Sequence, residues 1–280
     1  MAAGESGVPA AVWRSFLADE KLCALLLRIM RECWNSGVVP EQWTVMHMNV
    51  LSKSGPGMDF SLLKNYRGIA IAEVMAELYA GILKERLEAF YETIAPDICC
   101  GFRRGRSRND SVFVVKEVLR KRKEWGQETF LVLWDVVKMF DRIPKEHIWT
   151  SMRLLGIDAR MIQAVQSTLK GTKCVLEVDG INTEVNMVEG SGQGTKLGPM
   201  LCNLFMLPIL EQWMEQMQHV TPTMQKGGGG KFDTFISNFA DDTAMLMGSQ
   251  GDMQKVVKAF PLYLRKFGVE VHTSENPQAQ

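Results

Sequence analysis

The sequence has no net charge: 32 basic residues are matched by 32 acidic ones over 280 residues. That excludes a protein that coats nucleic acid by bulk electrostatics. No apolar run approaches the roughly 18 residues a membrane span needs. Leu25-Leu26-Leu27 is only the centre of a charge-flanked segment, so no membrane partner is expected. Met1-Ala2-Ala3-Gly4-Glu5 lacks the basic start and apolar stretch of a signal peptide. Cysteine is sparse. Cys23, Cys33, Cys99, Cys100, Cys174 and Cys202 include no C-x-x-C pair and have no histidine at zinc-finger spacing. They read as reduced thiols of an intracellular protein. What is present is 46% hydrophobic and 23% charged, the composition of a soluble globular chain with one large domain or two small ones.

The neutral average hides a gradient. Residues 101–125 hold nine bases (Arg103, Arg104, Arg106, Arg108, Lys116, Arg120, Lys121, Arg122, Lys123) against Asp110, Glu117 and Glu124. Nine minus three leaves plus six here and minus six elsewhere. A basic surface on an acidic body suits an anionic polymer arriving from one side, although a charge run alone is more often a solvated helix face.

Apolar spacing predicts helices over 15–35, from 72 to about 94, and from Asp110, read as an N-cap, to about 125. The almost continuously apolar 129–134 predicts a buried strand. Further helices are expected near 144–155 and 158–169, then a hairpin of 173–179 with 181–188 turning at Asp179-Gly180. A glycine-rich bend at 190–194 is expected to open a helix through about 217. Four glycines at 227–230 precede a strand at 232–239, a tight turn at Asp241-Asp242 and the apolar 243–247. A helix at 252–267, kinked at Pro261, and a strand at 269–273 close the chain. The class is α+β with a helix-rich first third.

Asp241-Asp242 is the first candidate for chemistry. An adjacent Asp pair arises by chance about half the time in a chain with 12 aspartates, so its setting matters more. Two carboxylates between apolar runs, at a short turn, cost free energy unless a cation neutralises them. Asp135 ends the other strongly apolar strand. Should the two strands be neighbours, three carboxylates meet at one sheet end, the ligand set that two Mg²⁺ ions about 4 Å apart require for phosphoryl or nucleotidyl transfer. A turn pair plus a capping Asp135 explains the same residues without chemistry. The segment 190–199 fails the G-x-G-x-x-G fingerprint, because Thr195 or Leu197 stands where the third glycine belongs. Gly227–230 with Lys231 fails as a phosphate loop at Phe232. Lys53 and Arg67 flank a turn-rich loop and have the charge to clamp a triphosphate, or are simply solvated.

Read together, these segments resemble the reverse transcriptase domain of non-LTR retrotransposons and, more distantly, of group II introns. Gly37-Val38-Val39-Pro40-Glu41-Gln42-Trp43 is similar to that family's G-x-x-P-x-x-W opening, and Leu51-Ser52-Lys53-Ser54-Gly55 and Asn65-Tyr66-Arg67-Gly68-Ile69 to its fingers motifs. Gly101-Phe102-Arg103-Arg104-Gly105-Arg106-Ser107 followed by Asp110 is similar to GFRxGRS-x-x-D. Asp135-Val136-Val137-Lys138-Met139-Phe140-Asp141 is similar to the first catalytic motif. Gln193-Gly194 with Leu197 and Pro199 resembles QG-x-x-LSP, and Phe239-Ala240-Asp241-Asp242 the [F/Y]-A-D-D box. The order is collinear over nearly the whole chain.

The resemblance implies a right-hand polymerase fold of class α+β, with helix-rich fingers at 1–128, an antiparallel-sheet palm at 129–280, and the thumb absent. It implies RNA-directed DNA synthesis from an RNA template and a DNA primer with dNTPs. Asp135, Asp241, Asp242 and the Val136 carbonyl would hold two Mg²⁺ ions, with Mn²⁺ as a substitute. Lys53 and Arg67 would neutralise the triphosphate, and Phe140 would exclude a 2′-hydroxyl. Gln193 and Gly194 would line the nucleotide pocket, and Arg103, Arg104 and Arg106 would hold template phosphates. For a eukaryotic retroelement it implies a nuclear workplace, with a thumb or other domains supplied by a longer chain. Gly198 replaces the serine of LSP. Phe267-Gly268-Val269-Glu270-Val271-His272 resembles the start of GL-x-x-N-x-x-K-T, with Glu275 and Asn276 at the Lys-Thr positions. That acid, and the absent thumb, favour an alternative: a catalytically weak or inactive remnant that binds nucleic acid through 101–125. A metal-dependent nuclease using the same carboxylates lacks a neighbouring histidine or lysine base.

Overall fold

The computed structural model describes residues 6–53, 59–62, 65–178, 180–192, 194–220 and 236–272. In chain order the described helices are α1 (Ala10–Ala18), α2 (Glu20–Ser36), α3 (Val74–Ile94), α4 (Arg108–Glu124), α5 (Met139–Arg142), α6 (Lys145–Leu154), α7 (Ala159–Leu169), α8 (Gly198–Gln216) and α9 (Gln250–Arg265). The strands are β1 (Val45–Ser52), β2 (Tyr66–Ala72), β3 (Phe130–Asp135), β4 (Lys173–Val178), β5 (Ile181–Asn186), β6 (Ile236–Phe239) and β7 (Asp242–Met247).

Two compact units form, each from two stretches of chain: Met1–Leu87 with Gly156–Gly198, and Glu88–Leu155 with Pro199–Gln280. The first contains a four-stranded mixed sheet in the order β2-β1-β4-β5. β1 pairs antiparallel with β2 and parallel with β4, while β4 and β5 make the expected hairpin. Met46, Ala70, Ala72 and Cys174 form a buried cluster on this sheet, which holds Cys174 as a reduced thiol in apolar surroundings. The second unit contains an antiparallel sheet in the order β3-β7-β6.

Several expectations shift for identifiable reasons. The single helix expected over 15–35 is two, because Asp19 takes an extended conformation and its carboxylate accepts from the amides of Lys21 (2.9 Å) and Leu22 (3.0 Å). That side chain caps α2 and so stops α1. Gly37 ends α2 in the left-handed region at φ 67°. α4 starts earlier than expected: Ser107 is its N-cap, and Asp110 closes a capping box by accepting from the Ser107 amide and hydroxyl.

β3 is buried on one face only. Trp134 packs on Phe260 of α9 with ring centroids 5.3 Å apart, whereas Leu133 is 72% exposed and Leu131 lies on the same open face. A continuous apolar run therefore misread a strand whose sheet is covered on one side. Val271 makes one bridge to Val136 in place of the strand expected at 269–273. The glycines 227–230, residues 232–235, Glu275 and Asn276 lie outside the described residues. Among the described residues no helix is long and apolar enough to cross a membrane.

The Asp19 cap makes a local prediction. Asp19→Ala, at an exposed site, should lower stability by about 1 kcal/mol, read as a lower urea midpoint with unchanged slope.

Candidate active site

β6 and β7 are joined by a two-residue turn, Ala240-Asp241, closing on the pair Phe239–Asp242. Such turns need positive φ, and Ala240 adopts 59° at a cost of about 1 kcal/mol. Asn238 offsets that cost from below. It is 4% exposed, and its amide nitrogen lies 3.0 Å from the Ala240 carbonyl, 3.2 Å from that of Asp242 and 3.0 Å from the Thr243 hydroxyl. Side chains opposite one another across a sheet share a face. Ile236, Asn238, Thr243, Met245 and Trp134 are all buried on one face. Asp242 and Asp135 belong to the other.

β3 and β7 are neighbours, and Asp135 is the direct cross-strand partner of Asp242. Asp241 sits in the turn beside them, its carbonyl accepting the Val136 amide at 3.3 Å. The carboxyl of Asp242 is pushed above the ordinary carboxylate range, first by desolvation, then by the charge of Asp135, with Arg108 opposing. A cation would relieve that repulsion, and carboxylate oxygens are the donors a hard divalent ion prefers. Among the described residues no three acidic, histidine or cysteine side chains lie close enough, as placed, to hold one. Asp135 instead points an oxygen toward His272 Nε2 at 3.6 Å. The backbone thus fixes the carboxylates' positions, while mutual repulsion opposes their side chains converging.

The segment around Gly101 is built against this hairpin. Cys100 N–H donates to Asn238 O and Asn238 N–H to Ile98 O, both at 2.9 Å. A Cβ on Gly101 would lie 2.4 Å from the Ala240 nitrogen, so only glycine lets the two backbones touch. The Gly101 carbonyl accepts from Asn203 of α8 at 2.8 Å. Phe102, itself at φ 54°, reaches Phe140 of α5 and Phe239 of β6, each at 6.3 Å between ring centroids. On the far side, Val269–His272 lies along the residues after β3: Val137 N–H donates to Glu270 O (2.8 Å) and His272 N–H to Asp135 O (3.0 Å).

The expected template arginines part company. Arg103 is turned inward, its side chain 7% exposed. It donates to Glu92 at 2.8 Å and to the carbonyls of Pro96 (2.9 Å) and Cys99 (3.0 Å). A guanidinium so occupied is a staple for the bend. Arg104 is 70% exposed and pairs with the buried Glu88 at 3.2 Å; Arg106 pairs with Asp97. Arg122 is likewise internal, bonded to Thr129, Gln127 and the Glu128 carbonyl. Arg120 is tied to Glu117 and Glu124 on its own helix. The solvent-facing bases of this stretch therefore include Arg104, Arg106, Arg108, Lys116 and Lys123.

The remaining candidates belong to the other unit. Lys53 follows β1, and its amide donates to Asn65 O at 2.8 Å; Arg67 pairs with Leu51 across β1–β2. Both cations thus occupy one end of that hairpin. Gly194, at φ 100°, presses on β2, where a Cβ would meet Ala70 O at 2.6 Å. The close approach its bare backbone permits is to its own sheet. Gln193 lies outside the described residues. Arg108, Asn238 and His272 were not singled out from sequence. Arg108 was counted only as charge, and the other two acquire significance from pairing between distant segments.

Over residues 51–274 the chain matches the family described as reverse transcriptase (RNA-dependent DNA polymerase), and it belongs to that family. It is 26% identical over 254 residues to the putative 115 kDa protein in type-1 retrotransposable element R1DM of Drosophila melanogaster, covering 89% of this chain and 21% of the relative. It is 24% identical over 250 residues to the probable RNA-directed DNA polymerase from transposon X-element of the same species, covering 85% and 25%. The chain spans 18 to 25% of the length of the curated relatives it matches. Among solved structures, apo telomerase from Candida tropicalis truncated from its C-terminal domain superposes with a TM-score of 0.60 at 12% identity, covering 84% of this chain and 50% of that one. The shared fold is the right-hand polymerase fold, and polymerases of this family use divalent metal ions.

The Arg103 staple is open to test. Arg103→Ala should lower stability by about 3 kcal/mol in urea melts, and Arg120→Ala, which breaks only exposed pairs, by much less. The Glu92 carboxyl is held below its ordinary range by Arg103. A depressed carboxyl stabilises the fold above its unfolded pKa, about 4.3, and that contribution is lost as pH falls through the folded value. The gap between parent and Arg103→Ala should therefore narrow as melts are taken below about pH 4.

Proposed function

We propose that this chain is the catalytic domain of an RNA-directed DNA polymerase of the non-LTR retroelement type, adding dNTPs to the 3′-hydroxyl of a DNA primer on an RNA template. The observation that carries the reading is the cross-strand pairing of Asp135 with Asp242, with Asp241 held beside them in the turn. Asp135, Asp241, Asp242 and the Val136 carbonyl are the oxygen donors for two Mg²⁺ ions, with Mn²⁺ as a substitute. When bound, those ions supply a lowered pKa at the primer hydroxyl and charge neutralisation at the leaving pyrophosphate.

The other groups bind and orient. Lys53 and Arg67 meet the triphosphate with two cations from one hairpin end, and Gly194 with Gln193 lines the nucleotide pocket. Phe140 closes the space a 2′-hydroxyl would need, its ring braced edge-on by Phe102. Arg104 and Arg106 contact template phosphates, with Arg103 holding the bend that presents them. Residues 1–128 serve as fingers and 129–280 as palm. That division crosses the compact units, because 88–128 share a unit with the carboxylates.

Primer extension on an RNA template with dNTPs and Mg²⁺ tests the reading. The parent should extend, and Asp241→Ala should lose on the order of a thousandfold or more in rate while remaining folded. A folded, RNA-binding parent that does not extend sinks the polymerase reading for this chain and leaves the remnant. In the same assay Phe140→Val should raise rGTP incorporation relative to dGTP by about tenfold or more, because the excluded volume is gone.

A further inference from the structure

We infer that Glu77 is a positioning residue for nucleotide binding: from inside α3 it latches the turn Gly194–Gly198. The inference rests on the polymerase reading, which assigns Gly194 to the nucleotide pocket, and adds a residue that the motifs do not mark.

Glu77 is 9% exposed, in a small pocket lined by Val39, Trp43, Ala76, Ala80 and Leu197. A carboxylate in such surroundings pays a desolvation penalty that a neutral side chain of similar size avoids. Burial raises its pKa accordingly, partly offset by the amide and the charge of Lys196. Its Oε2 accepts the Lys196 backbone N–H at 3.1 Å. One turn further along α3 the Lys196 side chain lies over Gly81, where even a Cβ would be in ordinary contact, 3.5 Å from its Cδ and 3.6 Å from Nζ. Glu77 and Gly81 share one helix face, and Lys196 docks on it through its backbone amide and its side chain.

The turn that Lys196 belongs to is closed on itself, so one anchor places all of it. The Thr195 hydroxyl donates to Gly192 O at 3.0 Å and accepts the Gly198 amide at 3.1 Å. A Cβ on Gly198 would stand 2.5 Å from Gly192 O, so the closure depends on glycine there. At its start Gly194 is wedged against Ala70 O of β2, three residues along the strand from Arg67. Freeing Lys196 would therefore loosen Gly194 against the strand that carries a triphosphate cation, an effect on nucleotide affinity and not on metal chemistry.

Two readouts test this on the full chain. By hydrogen exchange, the Lys196 amide should be protected in the parent and in Glu77→Gln, whose amide oxygen still accepts, and lose protection about tenfold or more in Glu77→Ala. A parent amide exchanging at an unprotected rate, or one equally protected in folded Glu77→Ala, overturns the latch. In primer extension, Glu77→Ala should raise KM for dNTP about tenfold, with kcat and KM for primer–template within about twofold, and Glu77→Gln should stay near the parent. Unchanged KM for dNTP, or an equal fall in kcat in both variants, overturns the positioning role. If the parent extends no primer, the polymerase reading fails by itself, and exchange still decides the latch.

Discussion

Two aspartates held opposite one another on adjacent strands are the constraint around which the second unit is arranged. Asp135 and Asp242 repel, and Asp242 pays further for desolvation. Nothing in a sheet favours that pair, so its position has to be imposed by neighbours. Asn238 imposes it from below by tying three acceptors of the hairpin, and Gly101 imposes it from the side by lying against Ala240. The strained Ala240 and the buried Asn238 are understandable only together. Backbone strain persists where surrounding structure over-determines it, and such strain gathers at functional sites.

The aromatic and basic residues around Gly101 follow from the same constraint. Once the backbone touches the hairpin at Gly101, Phe102 must turn toward Phe140 and Phe239, and Arg103 must turn back under the bend to Glu92, Pro96 and Cys99. One short segment therefore commits successive residues, Phe102, Arg103 and Arg104, to packing, internal stapling and exposed charge. A surface of net positive charge is what remains after the fold has taken the arginines it needs.

Much of this was legible in the sequence, for reasons that differ by element. Asp-Asp between two apolar runs has few physical explanations, and Lys53 and Arg67 bracket a loop whose ends must meet. Helices α3, α6 and α7 showed through their spacing. What did not show depended on partners far along the chain. Arg103 and Arg104 look alike until Glu92 and two carbonyls claim the first. Leu131 and Leu133 look like core because an apolar run does not say how many faces of its sheet are covered. Asp19 reads as one more polar residue within a helical pattern, and only its two backbone partners reveal a cap. Glu77 carries no local signal at all, and His272 gains its meaning only from its contact with Asp135.

The interleaving of the two units has a consequence for how the protein is made. Val45 pairs in parallel with Lys173, so β1 and β2 leave the ribosome long before the strand that completes their sheet. The second unit waits longer, since β3, which ends at Asp135, must be joined by β7, which begins at Asp242. Neither unit can close before its second stretch of chain has been made. During translation the nascent chain exposes unpaired strand edges and half-covered apolar faces, the species most prone to aggregate and to occupy chaperones. Stepwise closure, the first unit after β4 and the second only after β7, is the folding behaviour that this order of segments dictates.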